Sequence, residues 1–184
     1  MTLGLFGGAF DPPHVGHVAL VSAAKQALGL ERVVVVVVAD PGHKRVETPP
    51  DVRLRLARAA FPDDDVVLDE HARTVDMLRA HPEWSGATFL IGADELEGFP
   101  NWKEPDELLR RVRLGIATRP GHDVELSDPE RMTRFDLEEP ASSHGVRERL
   151  ERGEDAQDVI PAAVWGMIER EGLYGRRPSY TRSA

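Results

Sequence analysis

Compact apolar runs alternate along this chain with stretches whose apolar residues recur at helical spacing. Leu3 to Phe6 is a short apolar run closed by Gly7-Gly8, which predicts a strand ending in a turn. After Pro12-Pro13, the residues Val15, Val18, Ala19, Ser22, Ala23 and Leu28 fall at helical spacing, and Gly29 is placed to stop that helix. Val33 to Val38 is six consecutive valines, the pattern of a parallel strand buried on both faces. Asp51 to Phe61 predicts a helix through Val52, Leu56, Ala59 and Ala60, and Val66 to Leu68 a third strand. Thr74 to Ala80 then reads as helix, Thr88 to Ile91 as strand, Glu104 to Arg111 as helix, and Leu114 to Ala117 as a fifth strand closed by Arg119-Pro120-Gly121. Arg134 to Leu137 is a weaker sixth strand, and helices around Ser143 to Arg152 and Pro161 to Glu171 end the pattern. This alternation predicts an α/β class fold: a single domain over residues 1–174 with a doubly wound, mostly parallel sheet. Residues 175–184 have little to bury and are expected to be a mobile tail.

In such sheets ligands sit outside the carboxyl ends of the strands, near the switch in strand order. The first post-strand segment, Gly7-Gly8-Ala9-Phe10-Asp11-Pro12-Pro13-His14-Val15-Gly16-His17, is the densest in chemistry. Paired glycines let the backbone approach a ligand closely. His14 and His17, three apart at a helix start, can turn both imidazoles toward the point where free helix N–H groups favour an anion. Ser142 and Ser143 precede another helix, and Arg147 follows one turn later, a second arrangement suited to phosphate oxygens. Asp94 either accepts from ribose hydroxyls or caps the helix after it. Trp102 either stacks on a planar ring or packs in the core. Lys44, in the only dense cationic spot near the expected mouth, is read as a phosphate contact. Asp63-Asp64-Asp65 reads as a turn, and the adjacent Asp69-Glu70-His71 as structural rather than metal-binding.

Composition narrows the field. The 184 residues carry 32 acidic against 23 basic side chains, a net charge of −9, which argues against a protein that coats nucleic acid. There is no cysteine, so disulfides, thiolate metal sites and a thiol nucleophile are excluded. The longest apolar run, Val33 to Ala39, is far below the ~20 residues of a membrane helix. No basic leader is visible, and the cytoplasm is the expected location. Neither the Gly-x-Gly-x-x-Gly of dinucleotide redox folds nor the phosphate-loop string ending in Gly-Lys-Ser/Thr occurs.

The eleven-residue string resembles the Gly-Gly-x-Phe-Asp-Pro-x-His-x-Gly-His opening of bacterial nicotinate-nucleotide adenylyltransferases, within the superfamily of His-x-Gly-His nucleotidyltransferases. Ile91-Gly92-Ala93-Asp94 with Trp102 is similar to that family's Gly-Ala-Asp…Trp block, and Ala117-Thr118-Arg119-Pro120-Gly121 to its Arg-Pro-Gly strand end. Ala141-Ser142-Ser143-His144-Gly145-Val146-Arg147 resembles its Ile-Ser-Ser-Thr-x-Ile-Arg motif. The resemblance implies a Rossmann-like nucleotidyltransferase fold and adenylyl transfer from ATP to nicotinate mononucleotide. It implies catalytic roles for His14, His17 and Arg147, and ATP contacts at Gly7, Gly8, Phe10, His17, Gly92, Asp94, Arg119, Ser142, Ser143 and Arg147. Acceptor contacts fall to Lys44, Thr74 and Trp102. The partners implied are ATP and a pyridine mononucleotide, with no nucleic acid or membrane, and Mg²⁺ arriving on ATP without protein ligands.

Departures from the family cluster on the acceptor side. The family's loop after the second strand usually reads Asn-x-x-Pro-Pro-His-Lys, whereas Ala39-Asp40-Pro41-Gly42-His43-Lys44 is shorter and places Asp where an amide is common. Arg73-Thr74-Val75-Asp76 resembles the Thr-x-Asp-Thr-Leu stretch, but Glu70-His71-Ala72 replaces the usual Pro-Ser-Tyr. His144 and Ala141 stand where Thr and Ile are usual. The competing expectations are therefore another acceptor, such as nicotinamide mononucleotide or phosphopantetheine, or a nucleotide-binding relative without catalysis.

Overall fold

Val33, Val35 and Val37 lie in one hydrophobic layer, while Val34 and Val36 lie in the other, and all five are buried. A strand sealed on both faces belongs inside a parallel sheet. The computed structural model describes residues 2–42, 46–119, 121, 124–138 and 143–176, the side chains of residues 143 and 144 excepted. Its strands are β1 (Leu3–Gly8), β2 (Arg32–Val38), β3 (Asp65–Asp69), β4 (Thr88–Gly92), β5 (Arg113–Thr118) and β6 (Met132–Asp136). They form one sheet in the order β3-β2-β1-β4-β5-β6 with every ladder parallel. Strand order reverses between β1 and β4, as expected of a doubly wound sheet.

The helices are α1 (Val15–Leu28), α2 (Pro50–Ala60), α3 (Thr74–Ala80), α4 (Ala93–Gly98), α5 (Pro105–Arg111), α6 (Ser143–Glu151) and α7 (Ala162–Glu171). Leu20 and Val21 of α1, Leu56 of α2, Leu150 of α6 and Ile168 of α7 fill the layer that holds Val35. Met77 and Leu78 of α3 and Leu108 of α5 fill the layer that holds Val36. Among the described residues, no helix is long and apolar enough to cross a membrane.

The expected elements are present, with local corrections. Helix α1 is rotated from its expected face: Gly16, Leu20, Val21 and Ala24 are buried and Ser22 is exposed, because Leu20 and Val21 supply more apolar surface. Gly29 does end it, in the left-handed region at φ 61°. Strand β6 begins two residues earlier than expected, because Met132 pairs with Leu114 and is buried there with Phe135. Helix α5 starts at Pro105, whose fixed φ suits a first helical residue, and Glu104 caps it at φ 52°. Helix α4 was expected only through the capping reading of Asp94, and the 3-10 turn Phe99–Asn101 was not expected, since the sequence is short and interrupted by Gly98 and Pro100.

Candidate active site

The β1–β2 ladder continues to the pair Gly8 and Val37, whereas β1 and β4 share only Gly4–Thr88 and Leu5–Phe89. Beyond Leu5 the two central strands therefore part, and a crevice opens at the reversal of strand order. Gly7 and Gly8 line a cavity of about 610 Å³ there. A Cβ on Gly7 would stand 3.3 Å from Phe89 Cζ, and one on Gly8 would stand 3.0 Å from Phe10 Cζ. Both contacts are tight, so a side chain at either position would need the neighbouring ring to give by a few tenths of an ångström. The Phe10 ring itself is buried, edge-on to Phe6 at 5.5 Å and to His17 at 5.0 Å. Phe10 therefore packs against Gly8 and, at 1% exposure, is not part of the cavity lining where a nucleotide contact was expected of it.

His14 precedes the first residue of α1, with extended backbone at φ −134°. Its N–H donates to His17 Nδ1 at 3.2 Å, and the two rings stack 3.7 Å apart at 24°. Because His17 Nδ1 accepts that bond, the neutral ring carries its proton on Nε2 and presents a donor there. Burial, with the adjacent Arg147 charge adding to it, lowers the His14 pKa to about 4, so His14 is neutral at pH 7. Arg147 of α6 donates from Nη1 to the Asp11 carbonyl at 2.9 Å. Residues from opposite ends of the chain thus meet at one point. The expected contribution of free helix N–H groups is smaller than the spacing suggested. The Val15 N–H goes to the Val159 carbonyl at 2.9 Å, and the His17 N–H turns back to the His14 carbonyl at 3.0 Å.

Across the crevice, Gly92 caps α4, and its N–H donates to Glu95 Oε2 at 3.2 Å. Asp94 is exposed in the first helical turn, so the capping role weighed for it belongs to Gly92. Gly92 pairs with Ala117 in the β4–β5 ladder, which sets Asp94 two residues beyond the end of β4 and the exposed Arg119 one residue beyond the end of neighbouring β5. Neither of these lines the cavity; Glu95 does. Lys44 and Ser142 lie outside the described residues, and Ser143 begins α6 with its side chain outside them.

Thr74, the first residue of α3, and Trp102 line the cavity with Gly7 and Gly8, as do Ala72, Arg73 and Lys103, which were not expected. Trp102 serves both roles considered for it. It faces the cavity and packs edge-on to Phe89 at 6.3 Å and against Phe99 at 5.5 Å. Its segment is fastened to α3: Lys103 Nζ donates to both oxygens of Asp76 at 2.9 Å, and Arg79 forks onto Glu104 at 3.0 and 2.6 Å. The Lys103 bond pulls the Asp76 carboxyl below its usual pKa. His71 also borders the cavity, its Nδ1 2.9 Å from buried Asp69, and that bond raises the His71 pKa.

Two buried polar residues hold this arrangement and went unremarked in the sequence. Arg53 of α2 is fully buried and donates to the carbonyls of Ala9 at 2.9 Å, Val38 at 2.8 Å, Ala39 at 2.6 Å and Thr48 at 3.1 Å. It fastens the loops leaving β1 and β2. Asp11, 1% exposed, takes the hydroxyls of Thr48 and Tyr174 on Oδ1 at 2.7 and 2.6 Å and the Glu47 N–H on Oδ2. One signal for Arg53 was available: positions 53, 56, 57 and 60 form the inner stripe of α2, and an arginine on such a stripe must be partnered.

The Cytidylyltransferase-like family matches residues 5–149. A protein of Rubrobacter xylanophilus named "Probable nicotinate-nucleotide adenylyltransferase" is 34% identical over 99% of this chain and 96% of its own. One of that name from Thermus thermophilus is 35% identical over 95% of this chain and its whole length. The chain belongs to the nicotinate-nucleotide adenylyltransferases. The family's fold is shared more widely: the solved Plasmodium falciparum nicotinic acid mononucleotide adenylyltransferase, complexed with NaAD, superposes with a TM-score of 0.78 at 18% identity, covering 96% of this chain and 98% of that one. As an adenylyltransferase family member the chain keeps both histidines of the opening motif stacked on one another, with the arginine of the last motif near His14; none of the three is part of the cavity lining. Of its departures in residues 70–72, His71 and Ala72 lie on the cavity wall near Thr74. Among the described residues, no group of three His, Asp or Glu is arranged to hold a metal ion.

Proposed function

We propose that this chain transfers the adenylyl group of ATP to the phosphate of nicotinate mononucleotide, giving deamido-NAD and pyrophosphate. An oxygen of the acceptor phosphate forms a bond to the α-phosphorus, and the bond from that phosphorus to the bridging oxygen breaks. The acceptor phosphate is already anionic near pH 7, so the step needs no general base; it needs two anions brought together and developing charge stabilised. His17, with its proton held on Nε2, donates to an α-phosphate oxygen. Arg147, helped by Ser142 and Ser143, takes the β- and γ-phosphates of the leaving group. His14, neutral and buried, orients His17 by its main-chain N–H and by stacking. Mg²⁺ enters on the triphosphate as part of the substrate. Gly92, Asp94 and Arg119 receive the adenosine, and Lys44, Thr74 and Trp102 hold the mononucleotide.

The observation that carries this reading is the meeting of His14, His17 and Arg147 at the start of the helix that follows the Gly7-Gly8 strand end, which itself lines the cavity with Thr74 and Trp102. The test is pyrophosphate release from ATP with nicotinate mononucleotide, nicotinamide mononucleotide or phosphopantetheine as acceptor. Release with the first at a clearly higher kcat/KM than with the others is expected. Equal kcat/KM for the amide removes the acceptor preference alone, faster release with phosphopantetheine replaces the acceptor, and no release with any of them leaves a nucleotide-binding protein.

A further inference from the structure

The Asp11 carboxylate receives donors from three parts of the chain. Thr48 Oγ1 and Tyr174 Oη both donate to Oδ1, at 2.7 and 2.6 Å, and the Glu47 N–H donates to Oδ2. The carbonyl of the same residue accepts Arg147 Nη1 at 2.9 Å. Asp11 leads through Pro12-Pro13 to His14, and prolines leave that segment few ways to bend. The orientation of one buried side chain is thus passed to two members of the phosphate site, His14 along the chain and Arg147 across it.

The hydroxyls on Thr48 and Tyr174 contribute little to packing. Phenylalanine and valine would fill nearly the same volume, and a buried hydroxyl is costly unless it is bonded. Tyr174 also holds a non-glycine backbone at φ 55°, a conformation that persists only where the surroundings enforce it. Burial first, and the Asp11 charge second, raise the phenol pKa, so it remains a donor.

We propose that Tyr174 and Thr48 are positioning residues of the transfer site: their hydroxyls fix the Asp11 carboxylate and so set where Arg147 stands against the triphosphate and how His14 orients His17. This rests on the function proposed above. Tyr174→Phe and Thr48→Val should each lower kcat about ten-fold, as small displacements of a transfer site do. The KM for the mononucleotide should stay within about two-fold, because its cavity lies on the other side of β1. Thr48→Ser, which keeps the hydroxyl, should restore the rate. In an Arg147→Lys background, Tyr174→Phe should cost less than about three-fold, because the group it acts through is already displaced.

Calorimetry adds a readout that needs no turnover: ATP should bind Tyr174→Phe about ten-fold more weakly than wild type. Rates within about two-fold of wild type for both Tyr174→Phe and Thr48→Val, or a full additive loss on Arg147→Lys, would overturn the proposal and leave the hydroxyls a purely structural role. If Tyr174→Phe does not fold, the Thr48→Val and Thr48→Ser pair decides alone. If the wild-type protein releases no pyrophosphate with any acceptor, the proposed function fails, and the ATP affinities then decide the positioning role by themselves.

Discussion

His14 and His17 differ in environment more than their stacking suggests, one ring being buried and the other half-exposed. His17 is placed to donate, and His17→Ala should lower kcat by ~10²–10³-fold, the usual effect of removing a preorganised donor. A steady-state assay checks this, and a loss below about three-fold takes His17 out of the mechanism. His14 carries a pH signature. Its pKa is about 4 in the fold and about 6.5 in the unfolded chain, so between those values only the unfolded chain binds the proton. The stability it contributes is complete above pH 6.5 and is lost as pH falls toward 4, by about 3 kcal/mol in all. Urea unfolding of wild type and His14→Gln checks the sign: the gap between the two should narrow on acidification from pH 7 to 4.5. A gap that stays constant contradicts a neutral buried His14.

At the scale of elements, α2 is both a packing helix and a clamp. Leu56, Ala57 and Ala60 serve the core, while Arg53 on the same stripe bonds four main-chain carbonyls at the ends of β1 and β2. Arg53→Met removes a buried cation from Asp11 and leaves those carbonyls without a donor, so unfolding free energy should drop by about 3 kcal/mol. Chemical denaturation reads this directly, and a change under about 1 kcal/mol would mean that solvent replaces the guanidinium. The elements themselves were legible where periodicity is strong, as in the valine run of β2 and in α3, whose ends fall where the pattern put them. They were less legible where one or two residues decide burial. Met132 fixes the start of β6 by pairing with Leu114, a contact that no local pattern in a polar edge strand reveals.

Across the whole molecule, the fold is a sum of local patterns, whereas the site is made by long-range pairings. Gly7, Gly8, His14 and His17 announce themselves by being close in sequence. Asp11 and Tyr174 lie 163 residues apart, and nothing about either residue type points to the other. The cavity wall was half visible in Thr74 and Trp102, but Lys103 and Arg73 were not, because a lysine and an arginine at a helix boundary usually meet only solvent. Because ATP would touch both the opening loop and α6, binding should stabilise the entire chain. At about 100-fold over Kd the expected gain is about 2.7 kcal/mol. A thermal-shift titration measures it, and Arg147→Ala at the same ATP concentration should lose most of the shift.

The seam between β1 and β4 has only two registered pairs, Gly4–Thr88 and Leu5–Phe89. Past that point the spacing of the two half-sheets is governed by side-chain volume, with Gly7 against the Phe89 ring as the gauge. A single methyl group added at residue 7 would press on the Phe89 ring at that seam, so that Gly7→Ala asks a ring of the opposite half-sheet to yield by a few tenths of an ångström.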